Sequence, residues 1–223
     1  MTREQFLKYW AGGIIAILLV LGGVGVWYWK DVSPALEDQF GQHLDPAERT
    51  HLVELIQKYK DLANKEPKNA DHWLQLGFHK EKLGNVKGAI ASYEKSAQLN
   101  PKAFLPFEQV GVLYEKTGQY ERAERAYLAA IQNDPVKTYL YLPLVALYMN
   151  YVPQKKSLVP ELLTAGLNIE GNKDDPALLE MLAVFYKNTG DVKNAISAYE
   201  KLLSVTPGNA TARAELGELK NKK

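Results

Sequence analysis

Residues 104–135 read FLPFEQVGVLYEKTGQYERAERAYLAAIQNDP, and this stretch decides the fold. Phe107, Val110, Gly111 and Tyr114 recur at spacings of three, four and seven, one face of a helix. Ala123, Tyr127 and Ala130 repeat those spacings on a second segment. Thr117-Gly118-Gln119 lies between them as a turn, with Gly118 free to take a positive φ where the first helix stops. Asp134-Pro135 closes the unit, because proline cannot continue a helix. A two-helix hairpin of this size cannot bury its apolar face alone. It predicts neighbours of the same kind.

The neighbours recur at a period of 34, which separates Gly84 from Gly118, Ala89 from Ala123, Tyr93 from Tyr127, and Pro67, Pro101 and Pro135 from one another. Tyr59 lies one further period before Tyr93. Trp73, Leu76, Gly77, Gly84, Ala89, Tyr93 and Pro101 form one complete set, and Leu179, Leu182, Ala183, Tyr186, Gly190, Ala195, Tyr199 and Pro207 form another. Period and pattern resemble the tetratricopeptide repeat (TPR), with a departure at Lys80, where that pattern prefers Tyr. Gly118 and Gly190 are 72 apart, two periods plus four, so a degenerate repeat with a short insertion is expected between them. The resemblance implies an all-α solenoid of helical hairpins over residues 45–223, and it specifies a fold rather than a reaction. Its expected parts are a half repeat at 45–67, repeats at about 70–101, 104–135, 138–172 (degenerate) and 176–207, and a capping helix at 209–220.

Ahead of the repeats, residues 9–29 read YWAGGIIAILLVLGGVGVWYW, a run of 21 without a charge. That length spans ~30 Å of hydrocarbon as a helix. Tyr9-Trp10 and Trp27-Tyr28-Trp29 bracket it as interfacial aromatics do. The competing reading is a cleaved signal peptide, whose apolar core is usually shorter and ends at small residues. Ser33-Pro34-Ala35 is a weak match to such a site, and a transmembrane helix is the expectation. Arg3 and Lys8 precede the span, whereas Lys30 follows it and the next basic residue is Arg49. The positive-inside rule then leaves residues 1–8 in the cytoplasm and the repeats outside it, periplasmic in a bacterium. Gly12, Ala16 and Gly23 share a helix face, which either admits a partner helix or reflects how common glycine is in spans. Residues 30–44 read as a polar tether.

Asp45-Pro46-Ala47-Glu48 is a helix start with a capping box, followed by a stripe of Leu52, Leu55, Ile56, Tyr59, Leu62 and Ala63. In the degenerate repeat, Tyr141, Leu144, Val145 and Tyr148 keep a helical stripe, and Pro143 either delays or kinks the helix. Tyr151 to Lys156 reads as a loop, Ser157 as the cap of a second helix, and Leu162, Leu163, Ala165 and Leu167 as its packing residues. Asn209 or Thr211 caps the last helix, with Ala212, Leu216 and Leu219 inward and Arg213, Glu215, Glu218 and Lys220 in water.

Chemistry is sparse. Lys plus Arg is 27 and Asp plus Glu 26, a net charge of +1 that gives no nucleic-acid footprint. There is no cysteine, hence no disulfide, thiol nucleophile or thiolate metal site. No phosphate loop, HExxH, nucleophile elbow or CxxC is present. His72 and His79 lie seven apart on one helix without a further ligand, which favours two solvated histidines over a metal site. Glu121, Arg122, Glu124 and Arg125 read as a solvated face. No catalytic residue, metal or cofactor is expected, and the chain does not read as an enzyme.

Solenoids of this kind bind along the surface formed by the first helix of each hairpin. The resemblance places groove positions at Asp71, Leu74, Phe78, Glu81 and Lys82, then Leu105, Glu108, Val112, Glu115 and Lys116, then Tyr139, Leu142, Ala146, Met149 and Asn150. Leu74, Phe78, Leu105, Glu108, Val112, Glu115, Tyr139 and Leu142 are the expected site, with an apolar or amphipathic segment of a partner protein as its ligand. Against that stands the reading that these side chains pack on neighbouring helices. Anchor, tether and irregular third repeat also resemble in layout the TPR subunits of bacterial cytochrome c maturation haem-lyase complexes. Those present apocytochrome or a thioredoxin-like partner to the lyase. A membrane-anchored adaptor is the expected function. The alternative is a structural or assembly subunit of an envelope complex such as secretion or pilus machinery.

Overall fold

The structure, a computed structural model, describes residues 44–221. The expected span at 9–29 and nearly all of the tether at 30–44 lie outside the described residues. Among the described residues no helix is long and apolar enough to cross a membrane.

Among the described residues ten α-helices follow one another, α1 Pro46–Lys65, α2 Ala70–Lys82, α3 Val86–Leu99, α4 Leu105–Lys116, α5 Tyr120–Asn133, α6 Tyr141–Asn150, α7 Val159–Leu167, α8 Pro176–Thr189, α9 Val192–Val205 and α10 Ala210–Asn221. The pairs α2–α3, α4–α5, α6–α7 and α8–α9 are the hairpins, and α1 packs on α2. Local chemistry sets the ends. Asp45 Oδ1 accepts the Glu48 amide at 2.8 Å while Glu48 accepts the Asp45 amide at 3.1 Å, so the capping box is formed. Gly84, Gly118 and Gly190 take φ of +83°, +74° and +78° at the hairpin turns, a region open to glycine. Asn209, not Thr211, starts α10, its Oδ1 accepting the Ala212 amide at 2.9 Å.

A glycine facing a tyrosine ring closes each of the first three hairpins. A Cβ on Gly77 would stand 2.6 Å from the Tyr93 ring, and one on Gly111 would stand 2.7 Å from that of Tyr127. Only glycine lets these helices approach so closely. In the third hairpin the roles are exchanged. Tyr141 lies on the first helix and Gly166 on the second, and a Cβ there would meet the ring at 2.9 Å. That exchange hides the Gly/Tyr pattern between α5 and α8, where a longer connection also shifts the 34-residue register.

Several expectations for this hairpin are corrected. Of its two expected effects Pro143 shows the late start and not the kink. It is the third residue of a helix that starts late, after a 3₁₀ turn at Thr138–Leu140, where its missing N–H is one of the unpaired donors anyway. Residues expected as a loop form a 3₁₀ helix, Pro153–Leu158. Ser157 caps nothing, because that 3₁₀ helix runs directly into α7 at Leu158. Ala165 is exposed, and buried Gly166 packs in its place. The insertion is placed as well. Hairpin turns elsewhere occupy 83–85 and 117–119, whereas here residues 151–158 separate the two helices. Tyr151 in this segment stacks on Tyr120 of α5, centroids 4.8 Å apart, and Lys155 donates to Glu124 of α5 at 2.6 Å. The connector 168–175 is tied back too, since buried Asn172 donates Nδ2–H to the Pro135 carbonyl at 2.8 Å and the Tyr141 hydroxyl donates to the same oxygen at 3.1 Å.

The buried apolar residues fall into two cores. One runs from Ala89 to Val159 and Leu163 and takes in Leu178 and Phe185 of α8. The other joins Leu179 and Ala183 of α8 to Ala195, Tyr199, Leu202, Ala212 and Leu219. Helix α8 therefore serves both.

Candidate protein-binding groove

The first helices α2, α4 and α6, with the 3₁₀ turn ahead of α6, carry the expected groove positions, which recur in register and so lie on one side of the stack. Large apolar side chains remain exposed there, Phe78 at 42%, Leu105 at 38%, Tyr139 at 50% and Leu142 at 56%. Leu74 and Val112 are only partly exposed, and both pack against the first core. The expected site thus divides into a ridge open to solvent and two residues that support it from beneath. Leu105 and Tyr139 belong to different local structures, since Tyr139 sits in the 3₁₀ turn ahead of α6.

The polar groove residues are largely held from within. The Tyr93 hydroxyl donates to Glu81 at 2.9 Å, and the Tyr127 hydroxyl donates to Glu115 at 2.7 Å. Burial, reinforced by the adjacent carboxylate, pushes both phenols well above the usual tyrosine range. Lys116 reaches Glu81 at 3.7 Å, and Lys82 lies over the Phe78 ring at 4.7 Å. Burial raises the Glu108 carboxyl above its ordinary value. Glu115 is accordingly an acceptor oriented by its own hairpin.

Extending the same register to the fourth hairpin adds Ala177, Glu180, Val184, Lys187 and Asn188, which sequence reasoning missed. The signal was available in the set from Leu179 to Gly190. Ala177, Glu180, Val184 and Asn188 meet Leu142, Met149 and Asn150 of α6 around a cleft of about 460 Å³. Val145, Met181 and Phe185 complete its wall. Val184 is 40% exposed. Here two adjacent first helices enclose a space instead of presenting single side chains.

Elsewhere three readings are corrected. His79 is buried, not solvated, with its ring stacked on Tyr59 at 5.2 Å and its Nδ1 unpartnered. Burial first, then the positive charges of Lys82, His51 and Lys58, hold its pKa below the ordinary histidine value. His72 is mostly buried too, its Nδ1 3.8 Å from Glu66. Among the described residues no group of three or more His, Cys, Asp or Glu could hold a metal ion. On the charged face of α5, Glu121 and Arg125 are exposed as expected, whereas Arg122 and Glu124 belong to an inter-repeat network. Arg122 pairs with Glu94 at 2.9 Å and lies over the Tyr114 ring, and Glu124 accepts from Tyr148 at 2.7 Å as well as from Lys155. Burial alone would raise Glu124, but the Lys155 and Tyr148 hydrogen bonds hold its carboxyl below the ordinary value. Glu215, expected in water, is half-buried and pairs with Lys187 across α10 and α8.

Comparison with known proteins agrees with this geometry. The tetratricopeptide repeat family model matches residues 70–102, 108–137 and 176–209, leaving the exchanged third hairpin unmatched. The PEX5-related protein of Homo sapiens is 26% identical over 160 residues, 68% of this chain and 26% of that protein. The BBSome complex member BBS4 homolog of Drosophila melanogaster is 24% identical over 158 residues, 70% of this chain and 32% of that protein. The chain thus spans between a quarter and a third of these curated relatives. Among solved structures, YrrB, described as a TPR protein with an unusual peptide-binding site, superposes with a TM-score of 0.54 at 17% identity, covering 74% of this chain and 82% of YrrB. MamA gives 0.56 at 18% identity, covering 76% of this chain and 99% of MamA. Three matched stretches, and a fold that continues their hairpin pattern, show that this chain carries tetratricopeptide repeats.

Proposed function

We propose that the protein is a membrane-anchored adaptor that holds partner proteins along the side formed by its first helices. The supporting observation is the row of large apolar side chains left exposed there, Phe78, Leu105, Tyr139, Leu142 and Val184, on helices whose opposite faces are fully used by the core. Exposed apolar groups that recur in register on one side of a solenoid are what a docking surface requires. The 21-residue uncharged run at 9–29, with its aromatic flanks, supports the anchor and an extracytoplasmic position for the repeats. A narrower version, a haem-lyase subunit that presents apocytochrome, is supported by layout, namely one span, a tether and an irregular third repeat.

Photo-crosslinking in cells tests the adaptor reading. A photoreactive amino acid at Phe78 or Leu142 should give discrete protein adducts, and one at exposed Leu128 on second helix α5 should not. Adducts from Leu128 alone would move binding to the other side. For topology, protease added to cells with an opened outer layer should digest residues beyond about 45, and protection until lysis would reverse the orientation.

A further inference from the structure

The cleft between α6 and α8 differs from the rest of the groove in what lines it. The chain contains three methionines, of which one is Met1 and the other two, Met149 and Met181, both line this cleft. Methionine's unbranched, polarisable side chain adapts to differently shaped apolar partners. Leu142 and Val184 stand exposed at the cleft, and its volume of about 460 Å³ suits one or two large apolar side chains. Glu180 is the one charged residue in the lining. It is exposed and takes no hydrogen bond or ion pair with any described residue. Glu108, at the matching position of α4, also takes no hydrogen bond or ion pair with a described residue but is partly buried, whereas the charged residues at a later groove position are engaged. Glu81 and Glu115 in the first two repeats are engaged by tyrosine hydroxyls. Lys187, on the same helix as Glu180, is taken by Glu215.

We infer that this cleft is a subsite for a partner-protein segment carrying an aliphatic or aromatic side chain next to a lysine or arginine. The apolar side chain enters between Met149 and Met181, and the cation meets Glu180 at the edge. This assignment rests on the adaptor reading and adds to it a position and a charge preference. A carboxylate beside an apolar cleft attracts a flanking cation and repels a flanking anion, and salt screens both effects.

The test uses the full chain in mild detergent and three synthetic peptides that share a Leu-Phe centre and differ only in flanking residues, lysine, glutamine or glutamate. The lysine peptide should bind ~2–5-fold tighter than the glutamine peptide, the range of one exposed ion pair, with the glutamate peptide weakest. Glu180→Gln should level the three, Glu180→Lys should reverse their order, and high salt should shrink the differences. Val184→Asp and Leu142→Asp, both at exposed positions, should weaken all three peptides while leaving the circular dichroism spectrum unchanged. Equal binding of the three peptides by the parent, or an order that survives Glu180→Lys, overturns the assignment. A photoreactive group at Phe78 separates the two levels of the argument. Peptide captured at Phe78 but not at Leu142 sinks the cleft and spares the groove. Capture at neither position sinks both.

Discussion

Replacing Gly111 by alanine puts helix propensity and packing in opposition, and the structure decides which wins. In a helix interior, alanine is favoured over glycine by ~1 kcal/mol. The new Cβ would lie 2.7 Å from two carbons of the Tyr127 ring and 3.4 Å from the Ala126 methyl. The ring has nowhere to go, being 2% exposed with its hydroxyl held by Glu115 at 2.7 Å. Overpacking of this kind costs ~1–3 kcal/mol, and the rigid surroundings put it at the upper end. The net expectation is a loss of ~1–2 kcal/mol by urea denaturation followed with circular dichroism. Two controls fix the cause. Gly217 in α10 has nothing within 4 Å of its would-be Cβ, so Gly217→Ala should stabilise by up to ~1 kcal/mol. Tyr127→Ala should lose ~3–5 kcal/mol, and in that background Gly111→Ala should become stabilising because the ring is gone. A Gly111→Ala protein at least as stable as its parent would refute the reasoning.

Alkali should unfold the domain through its tyrosines. Tyr93 and Tyr127 have raised folded-state pKa values, so their contribution is complete below about pH 10 and is lost as pH rises beyond the unfolded value. Tyr114, pushed up to about 12 by burial and by Glu94, acts in the same sense, and Tyr127→Phe should make the decline of melting temperature above pH ~10 shallower. His79 acts at the other end. Its folded pKa is lowered, so its contribution is complete above about pH 6.5 and is lost as pH falls below that. His79→Phe should flatten the acid limb of a stability-against-pH curve, and an unchanged limb would clear His79 of the effect. Lys155→Ala should destabilise by about 1 kcal/mol, because the Glu124 side chain, 12% exposed, then keeps the Tyr148 hydrogen bond but loses its ion pair. The loss should shrink in high salt.

The hairpins α2–α3, α4–α5 and α8–α9 were legible in the sequence because their glycines, alanines and tyrosines answer to short-range geometry. Gly77 faces Tyr93 for the same reason that Gly111 faces Tyr127, and a fixed spacing of 16 records it. The third hairpin was not legible, because a tyrosine on α6 against a glycine on α7 satisfies the same steric demand at a spacing of 25. The charged face of α5 was misread for a related cause. A helical wheel shows Glu124 on the outside, and only the position of the insertion reveals that Lys155 and Tyr148 cover it. The first-helix register gave groove positions for three repeats and left out the fourth, and of the two readings kept for them, exposure fits Phe78 and Leu142 while inward packing fits Leu74 and Val112. Periodicity names the side on which a residue lies, not how deeply its neighbours enclose it.

Helix α8, packed into both cores, has a consequence for how the molecule opens. Peeling from the C-terminus removes α10 and then α9, which strips the partners of Leu179 and Ala183, yet Leu178 and Phe185 remain seated against the preceding repeats. Amide protons in α9 and α10 should therefore exchange with deuterium well before those of α8, and α8 should exchange with the body of the solenoid. An occupant of the α6–α8 cleft would touch only that slower unit. Bound partner would then leave the last two helices free to open and close, so the tail of the chain could breathe while its load stayed in place.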